Sequence, residues 1–206
     1  IEHLDEVRPE ARALEAVNCI VPDGGRLVGA NTDGQGFVDA LVAADVDLVG
    51  TRVLVIGAGG AARAVVRALA HEDVAVIGIA NRTPERAQAA VLLGGRDARI
   101  ADLTDVPDYD VVVNATSIGM GAAPDAAELP IDPGLLTRGQ VVVDLVYEPV
   151  ETGLLAAARA AGARPVDGVG MLVHQAAHAF SLWTGEPAPV DAMHDAARAA
   201  LVAPKT

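Results

Sequence analysis

Residues 51–62, TRVLVIGAGGAA, hold the spacing whose chemistry is plainest in this sequence. A hydrophobic run, Val53 to Ile56, ends in Gly57, Gly59 and Ala62, and an alanine-rich stretch, Ala61 to Ala70, follows at once. This is the G-x-G-x-x-A turn of a dinucleotide-binding βαβ unit. Gly57 lets the chain turn sharply off the strand, and Gly59 lets a pyrophosphate approach the backbone. Ala62 lets the helix pack close to the sheet. The helix N-terminus then offers unpaired N–H groups and the positive end of its dipole to the phosphates. Gly57, Ala58, Gly59, Gly60 and Ala61 are therefore candidate phosphate-binding residues. The plainer alternative is a tight Ala/Gly turn. A second strand at the right distance, Val74 to Ile79, favours the nucleotide reading.

The end of that second strand discriminates between dinucleotides. An NAD site places a carboxylate there, against the ribose 2′-OH. Here Ile79-Ala80 is followed by Asn81-Arg82-Thr83, and Asp73 lies at the opposite end of the strand. Arg82 and Arg86 can present forked, charged donors to a 2′-phosphate. Thr83 can donate from its hydroxyl and cap the following helix. NADP, not NAD, is the cofactor expected at an Asn81, Arg82, Thr83 and Arg86 corner. The alternative is that both arginines are solvated charges at a helix start.

These residues need a scaffold, and the pattern of the chain supplies one. Strands are expected near 52–57, 74–79, 97–101, 110–114, 140–145 and 163–166, with helices near 60–70, 84–92 and 151–161 between them. That alternation predicts an α/β fold with a doubly wound parallel sheet. Ile1 to Ala16 has helical spacing, with Leu4, Val7, Ala11 and Leu14 on one side. Val17 to Pro22 and Arg26 to Ala30 read as short strands around Asp23-Gly24-Gly25. Thr32 or Asp33 can cap the next helix. Residues 118–138 read as loop, a long helix runs from Gly168 to about Trp183, and a last one runs from about Asp191 to Val202.

The 206 residues suffice for one large or two small cores, and 51% are apolar. Aromatics make up only 2%, so Ala, Val, Leu and Ile must fill the interior. A formal charge of −13 argues against nucleic acid or an anionic membrane surface as partner. The single cysteine, Cys19, excludes an internal disulfide and any cysteine-rich zinc site, and it fits a cytoplasmic location. In its strand it reads as a small buried hydrophobe. His174 and His178 stand four apart on a helix without a third ligand at motif spacing, so no metal is expected.

Several further motifs appear in order. They are Ala16-Val17-Asn18, Asn31-Thr32-Asp33-Gly34, the glycine turn and Asn81-Arg82-Thr83. Then come Asn114-Ala115-Thr116-Ser117 with Gly119-Met120, Asp144-Leu145-Val146-Tyr147-Glu148-Pro149, and Asp167-Gly168-Val169-Gly170-Met171-Leu172-Val173 followed by Gln175-Ala176-Ala177. Together they resemble the shikimate dehydrogenase family over nearly the whole chain. The resemblance implies NADPH-dependent reduction of 3-dehydroshikimate to shikimate, in aromatic amino-acid biosynthesis. It also implies a substrate domain and a nucleotide domain flanking the active-site cleft. It assigns Asp33 to the catalytic pair. Asn18, Tyr147 and Gln175 join Asp33 as substrate ligands, and Thr116, Leu145, Gly168 and Met171 line the nicotinamide end. The residue types agree, since a cyclic polyol acid needs several fixed hydrogen bonds. Read from the residues alone, Asp33 is a helix N-cap.

The resemblance implies domain limits of 1–32 for a partial substrate domain, 33–167 for the NADP-binding domain, and 168–206 for helices returning to the substrate domain. A homodimer is one assembly open to the chain, whose oligomeric state the sequence does not specify. The family places a lysine beside the aspartate and a serine motif on the substrate carboxylate. Here the only lysine is Lys205, by motif and position not that residue, and the sequence starts just after the place where both should be. The 206 residues as given are therefore expected to bind NADPH without turning over 3-dehydroshikimate. The alternatives are a quinate/shikimate dehydrogenase paralogue and a non-catalytic NADP-binding module.

Overall fold

The computed structural model describes residues 1–121 and 128–202. A small three-stranded sheet comes first, built from β1 (Glu6–Val7), β2 (Cys19–Asp23) and β3 (Arg26–Ala30) in the order β1-β3-β2. β2 and β3 form an antiparallel hairpin, and β1 runs parallel to β3. The helix expected over Ile1 to Ala16 is shorter, α1 (Pro9–Leu14). Pro9 is the reason. It is pre-organised for the first helical position and holds the preceding Arg8 extended, at φ −58° and ψ 151°. Val7 is buried by pairing in the sheet instead of on a helix face.

The expected parallel sheet is present. Its strands are β4 (Arg52–Ile56), β5 (Val76–Ala80), β6 (Ala98–Ile100), β7 (Val111–Asn114), β8 (Val141–Asp144) and β9 (Arg164–Val166). They run parallel in the order β6-β5-β4-β7-β8-β9. The central runs are apolar on both faces because helices cover both. Val53, Val55 and Ile77 pack under Val65, Val66 and Leu69 of α3 (Gly60–Leu69) and under α2 (Asp33–Ala43). On the other face Leu54, Val112 and Val142 pack against Leu154 and Ala158 of α5 (Gly153–Ala160). The helix α4 (Pro84–Gly94) joins β5 to β6. Residues 118–121 and 128–138 are irregular apart from one turn of 3₁₀ helix, Pro133–Leu135, and residues 122–127 of that expected loop lie outside the described residues.

Two long helices tie the sheets together. α6 (Val169–Thr184) crosses α2, and Gly36 makes the close approach possible: a Cβ there would lie 2.5 Å from the Gln175 backbone nitrogen. The far half of α6 packs Ala179 and Leu182 against Cys19, Val21 and Ala30 of the small sheet. α7 (Val190–Val202) follows. No helix among the described residues is long and apolar enough to cross a membrane.

Candidate active site

The strand order reverses direction of growth between β4 and β7, and in such sheets the crevice opens at the carboxyl ends of those strands. The glycine turn sits there. Gly57 has φ +111°, and a Cβ on it would meet the Ala115 carbonyl at 3.0 Å, so the sharp turn needs glycine. Gly59 is the N-cap residue of α3. A Cβ on Gly59 or Gly60 would meet nothing within 4 Å, so both backbones face open space at the helix N-terminus. That is the room a pyrophosphate needs.

Two clefts meet at Gly59, Ala115, Thr116 and Ser117. One, of about 680 Å³, runs from Gly57 and Ala58 past Asn81 and Arg82 to Asp102, Leu103 and Thr104. The other, of about 500 Å³, runs from Gly59, Gly60 and Ala61 to Leu145, Tyr147, Gly168 and Met171, and then to Asn18, Asp33 and Gln175. The expected phosphate-binding, nicotinamide-end and substrate residues are thus brought into one continuous groove. Thr83 and Arg86 are not among its walls. Thr83 occupies the N-cap position of α4 and Arg86 its first turn, both exposed. Thr83 makes no side-chain capping bond; the corner is shaped instead by Asn81 Nδ2, which donates to the Thr83 carbonyl at 2.9 Å. Among the described residues neither Arg82 nor Arg86 is in an ion pair. Both guanidinium groups are thus available to an anion.

Asp33 is not a cap. It is the first residue of α2, and Thr32 at the N-cap makes no side-chain capping bond either. Asn18 holds both. Its Nδ2 donates to Asp33 Oδ1 at 2.7 Å and to Thr32 Oγ1 at 3.0 Å, and its Oδ1 accepts from the Thr32 backbone N–H at 2.9 Å. Asn31 Oδ1 accepts the Asp33 backbone N–H at 3.0 Å. The asparagines at the β2 entry and the β3 exit therefore aim the carboxyl at the groove. Burial pushes the Asp33 carboxyl above its ordinary value, and the hydrogen bonds with Asn18 and Asn31 offset part of that rise. On α6, Gln175 Nε2 donates to the Leu172 carbonyl at 2.9 Å, and Tyr147 stands at the groove with 37% of its surface exposed.

Two features were not foreseen. Asp102 and Thr104 line the far cleft because the end of β6 opens on the same crevice as the end of β5. Asn114, Asp144 and Thr152 form a polar cluster beneath the groove, each no more than 1% exposed. Its signal was readable: Asn114 and Asp144 each end an otherwise apolar strand. Outside the groove, His178 Nε2 lies 2.6 Å from Asp39 Oδ2 and bridges α6 to α2.

Comparisons with known proteins agree with this geometry. Residues 40–120 match the family model described as shikimate / quinate 5-dehydrogenase, and residues 168–198 match the shikimate 5′-dehydrogenase C-terminal domain. A shikimate dehydrogenase (NADP(+)) from Moorella thermoacetica is 46% identical, over 98% of this chain and 71% of the relative. Among solved structures, the shikimate 5-dehydrogenase of Thermus thermophilus in complex with NADP(H) and shikimate is 40% identical. It matches with a TM-score of 0.89 over 97% of this chain and 74% of its own. The quinate dehydrogenase of Corynebacterium glutamicum in complex with NAD is 36% identical, with a TM-score of 0.85 over 98% of this chain and 73% of its own. With one continuous groove between glycine turn and Asp33, and relatives matched over nearly its full length, the chain belongs to the shikimate dehydrogenase family.

Proposed function

We propose that the protein binds NADPH along the groove and reduces 3-dehydroshikimate to shikimate. The observation that carries this reading is the Asn18–Asp33 pair, which faces the glycine turn across one cleft. The cradle fits the cofactor. Open backbone at Gly59 and Gly60 takes the pyrophosphate, Arg82 takes the 2′-phosphate, and Leu145, Gly168 and Met171 wall the nicotinamide end. When bound, NADPH supplies the hydride for the ketone carbon.

The chain's own residues supply part of the substrate side, and the family's lysine beside Asp33 is not among them. Asn18 fixes Asp33 through Oδ1, which leaves Oδ2 to meet a substrate hydroxyl. A carboxyl whose affinity for protons is raised by burial can hold a proton close to the developing alkoxide. Gln175 and Tyr147 add hydrogen bonds to the ring hydroxyls. The apolar side of the cleft, Met120, Leu145 and Met171, limits water at the reacting carbon.

The sheets support a division near 32 and 167, with α2 and α6 carrying Asp33 and Gln175 between the two parts. The same reading places the enzyme in the cytoplasm as a homodimer, to be checked by fractionation and sedimentation. A quinate-oxidising paralogue is the second reading, raised by the Corynebacterium relative. The Asn81-Arg82-Thr83 corner, which lacks a carboxylate at the end of β5, favours the first with NADP. The test is NADPH consumption with 3-dehydroshikimate by the product of the gene that carries this sequence. Asp33→Asn should abolish turnover and leave NADPH affinity in place. Loss of cofactor binding alongside activity would remove Asp33 from the chemistry.

A further inference from the structure

Asn114, Asp144 and Thr152 take no part in the chemistry described so far. Asp144 Oδ1 accepts from Asn114 Nδ2 at 2.8 Å and from the Val146 backbone N–H at 3.1 Å, and Oδ2 accepts from Thr152 Oγ1 at 2.7 Å. The Asn114 amide and the Val146 N–H are fixed donors to Oδ1, and the Thr152 hydroxyl completes the cluster at Oδ2. No cation is paired with it among the described residues. Burial pushes its carboxyl up, and the Thr152, Val146 and Asn114 bonds pull it back.

The cluster reaches upward on both sides. Asn114 Oδ1 accepts from the Thr116 backbone N–H at 3.1 Å and from Thr116 Oγ1 at 2.7 Å. Thr116 Oγ1 in turn accepts from the Ile118 N–H at 3.1 Å. Thr152 Oγ1 also caps α5, accepting from the Leu155 N–H at 3.2 Å. A Cβ on Gly168 would fall 2.6 Å from the Leu145 carbonyl and 2.9 Å from that of Asp144, so the start of α6 is seated on the same strand end. Two wall segments of one cleft, Thr116 and Leu145–Tyr147, thus hang on one buried group, and Gly168 packs against the backbone of the same strand end. The walls of the other end, Asn81, Arg82 and Asp102, hang on β5 and β6.

We infer that Asp144 is a positioning residue for the nicotinamide end: through Asn114, Val146 and Thr152 it sets the walls after β7 and β8 without touching cofactor or substrate. The inference rests on the NADP reading above. An ordinary stability role is the competitor, since leaving buried polar groups without partners is costly anywhere. The two differ in which half of the cofactor feels the loss.

The experiment uses two probes. NADPH spans the groove, and adenosine 2′,5′-bisphosphate carries the adenosine and 2′-phosphate without the nicotinamide. Wild type, Asp144→Asn, Thr152→Ala and Thr152→Ser are titrated with each, and the fluorescence of bound NADPH is recorded. Thr152→Ala should weaken NADPH about tenfold and reduce the emission shift of the bound nicotinamide, and Asp144→Asn, whose amide can still donate to Thr152 Oγ1 while its oxygen keeps Asn114 and Val146, should lose less. The bisphosphate should change less than about twofold, since Asn81, Arg82 and Asp102 wall its end and the cluster reaches that cleft only at its inner edge, Thr116 to Ile118. Thr152→Ser keeps the hydroxyl and should behave as wild type. If Asp144→Asn does not fold, the Thr152 pair carries the same comparison. Equal losses for both probes, or NADPH affinity unchanged in Thr152→Ala, would overturn the inference. A wild type that binds neither probe would instead overturn the NADP reading on which it rests.

Discussion

Gly59→Val separates the glycine turn's role in binding from its role in folding. Gly59 has φ −80° and ψ −169°, extended backbone that valine adopts without strain. A Cβ there meets no atom within 4 Å, so the core is untouched. The folding cost is that of a poorer N-cap residue, about 0.5–1 kcal/mol. Binding is affected much more. The branched side chain fills the space above the α3 N-terminus, where the pyrophosphate would accept backbone N–H bonds. Each hydrogen bond to a charged group contributes about 1.5–3 kcal/mol, so losing two weakens NADPH by about a hundredfold or more. Thermal melting by circular dichroism and a NADPH fluorescence titration on the same sample read both quantities. A variant that melts near wild type and still binds NADPH within about threefold would refute the placement of the phosphates.

Other perturbations test the remaining parts. Arg82→Ala should cost NADPH about ten- to a hundredfold and leave NADH nearly unchanged, because a guanidinium–phosphate contact is a charged hydrogen bond; parallel titrations decide it, and equal losses contradict it. Gly36→Ala pushes a methyl group to 2.5 Å from the Gln175 backbone, so α2 and α6 must part; overpacking of this kind costs about 1–3 kcal/mol and should lower Tm by several degrees. Asp33 has a folded-state pKa raised above 3.8, so ionising it favours the unfolded chain, and wild type loses stability as pH rises through the folded value. Asp33→Asn should therefore be at least as stable as wild type at neutral pH, with the difference vanishing below 3.8; urea melts at both pH values would show it, and a less stable variant at neutral pH contradicts it.

The parallel sheet was legible because its strands are apolar on both faces and the helices between them are not. Each of the six expected strands lies within two residues of its observed ends. The first sixteen residues misled because Leu4, Val7, Ala11 and Leu14 have helical spacing while Pro9 divides them into a strand and a short helix. At the groove, the glycine turn was readable because its residues are consecutive. Asp33 was not, since local spacing makes it a cap; only Asn18, brought beside it by the β2–β3 hairpin, turns it toward the groove. Thr83 shows the same limit from the other side: its type and place suit a cap, yet Asn81 closes that corner. The Asn114–Asp144–Thr152 cluster depends on adjacent parallel strands and a helix start, and strand order is not written in any one segment.

Hydride transfer itself tests the central claim most directly. The product of the gene carrying this sequence is incubated with 3-dehydroshikimate and NADPH deuterated at the reactive face of the nicotinamide. Mass spectrometry should find shikimate carrying a single deuterium, formed with NADPH far faster than with NADH and not formed by Asp33→Asn. Absence of labelled shikimate from the wild-type protein, while it binds NADPH, would contradict the account.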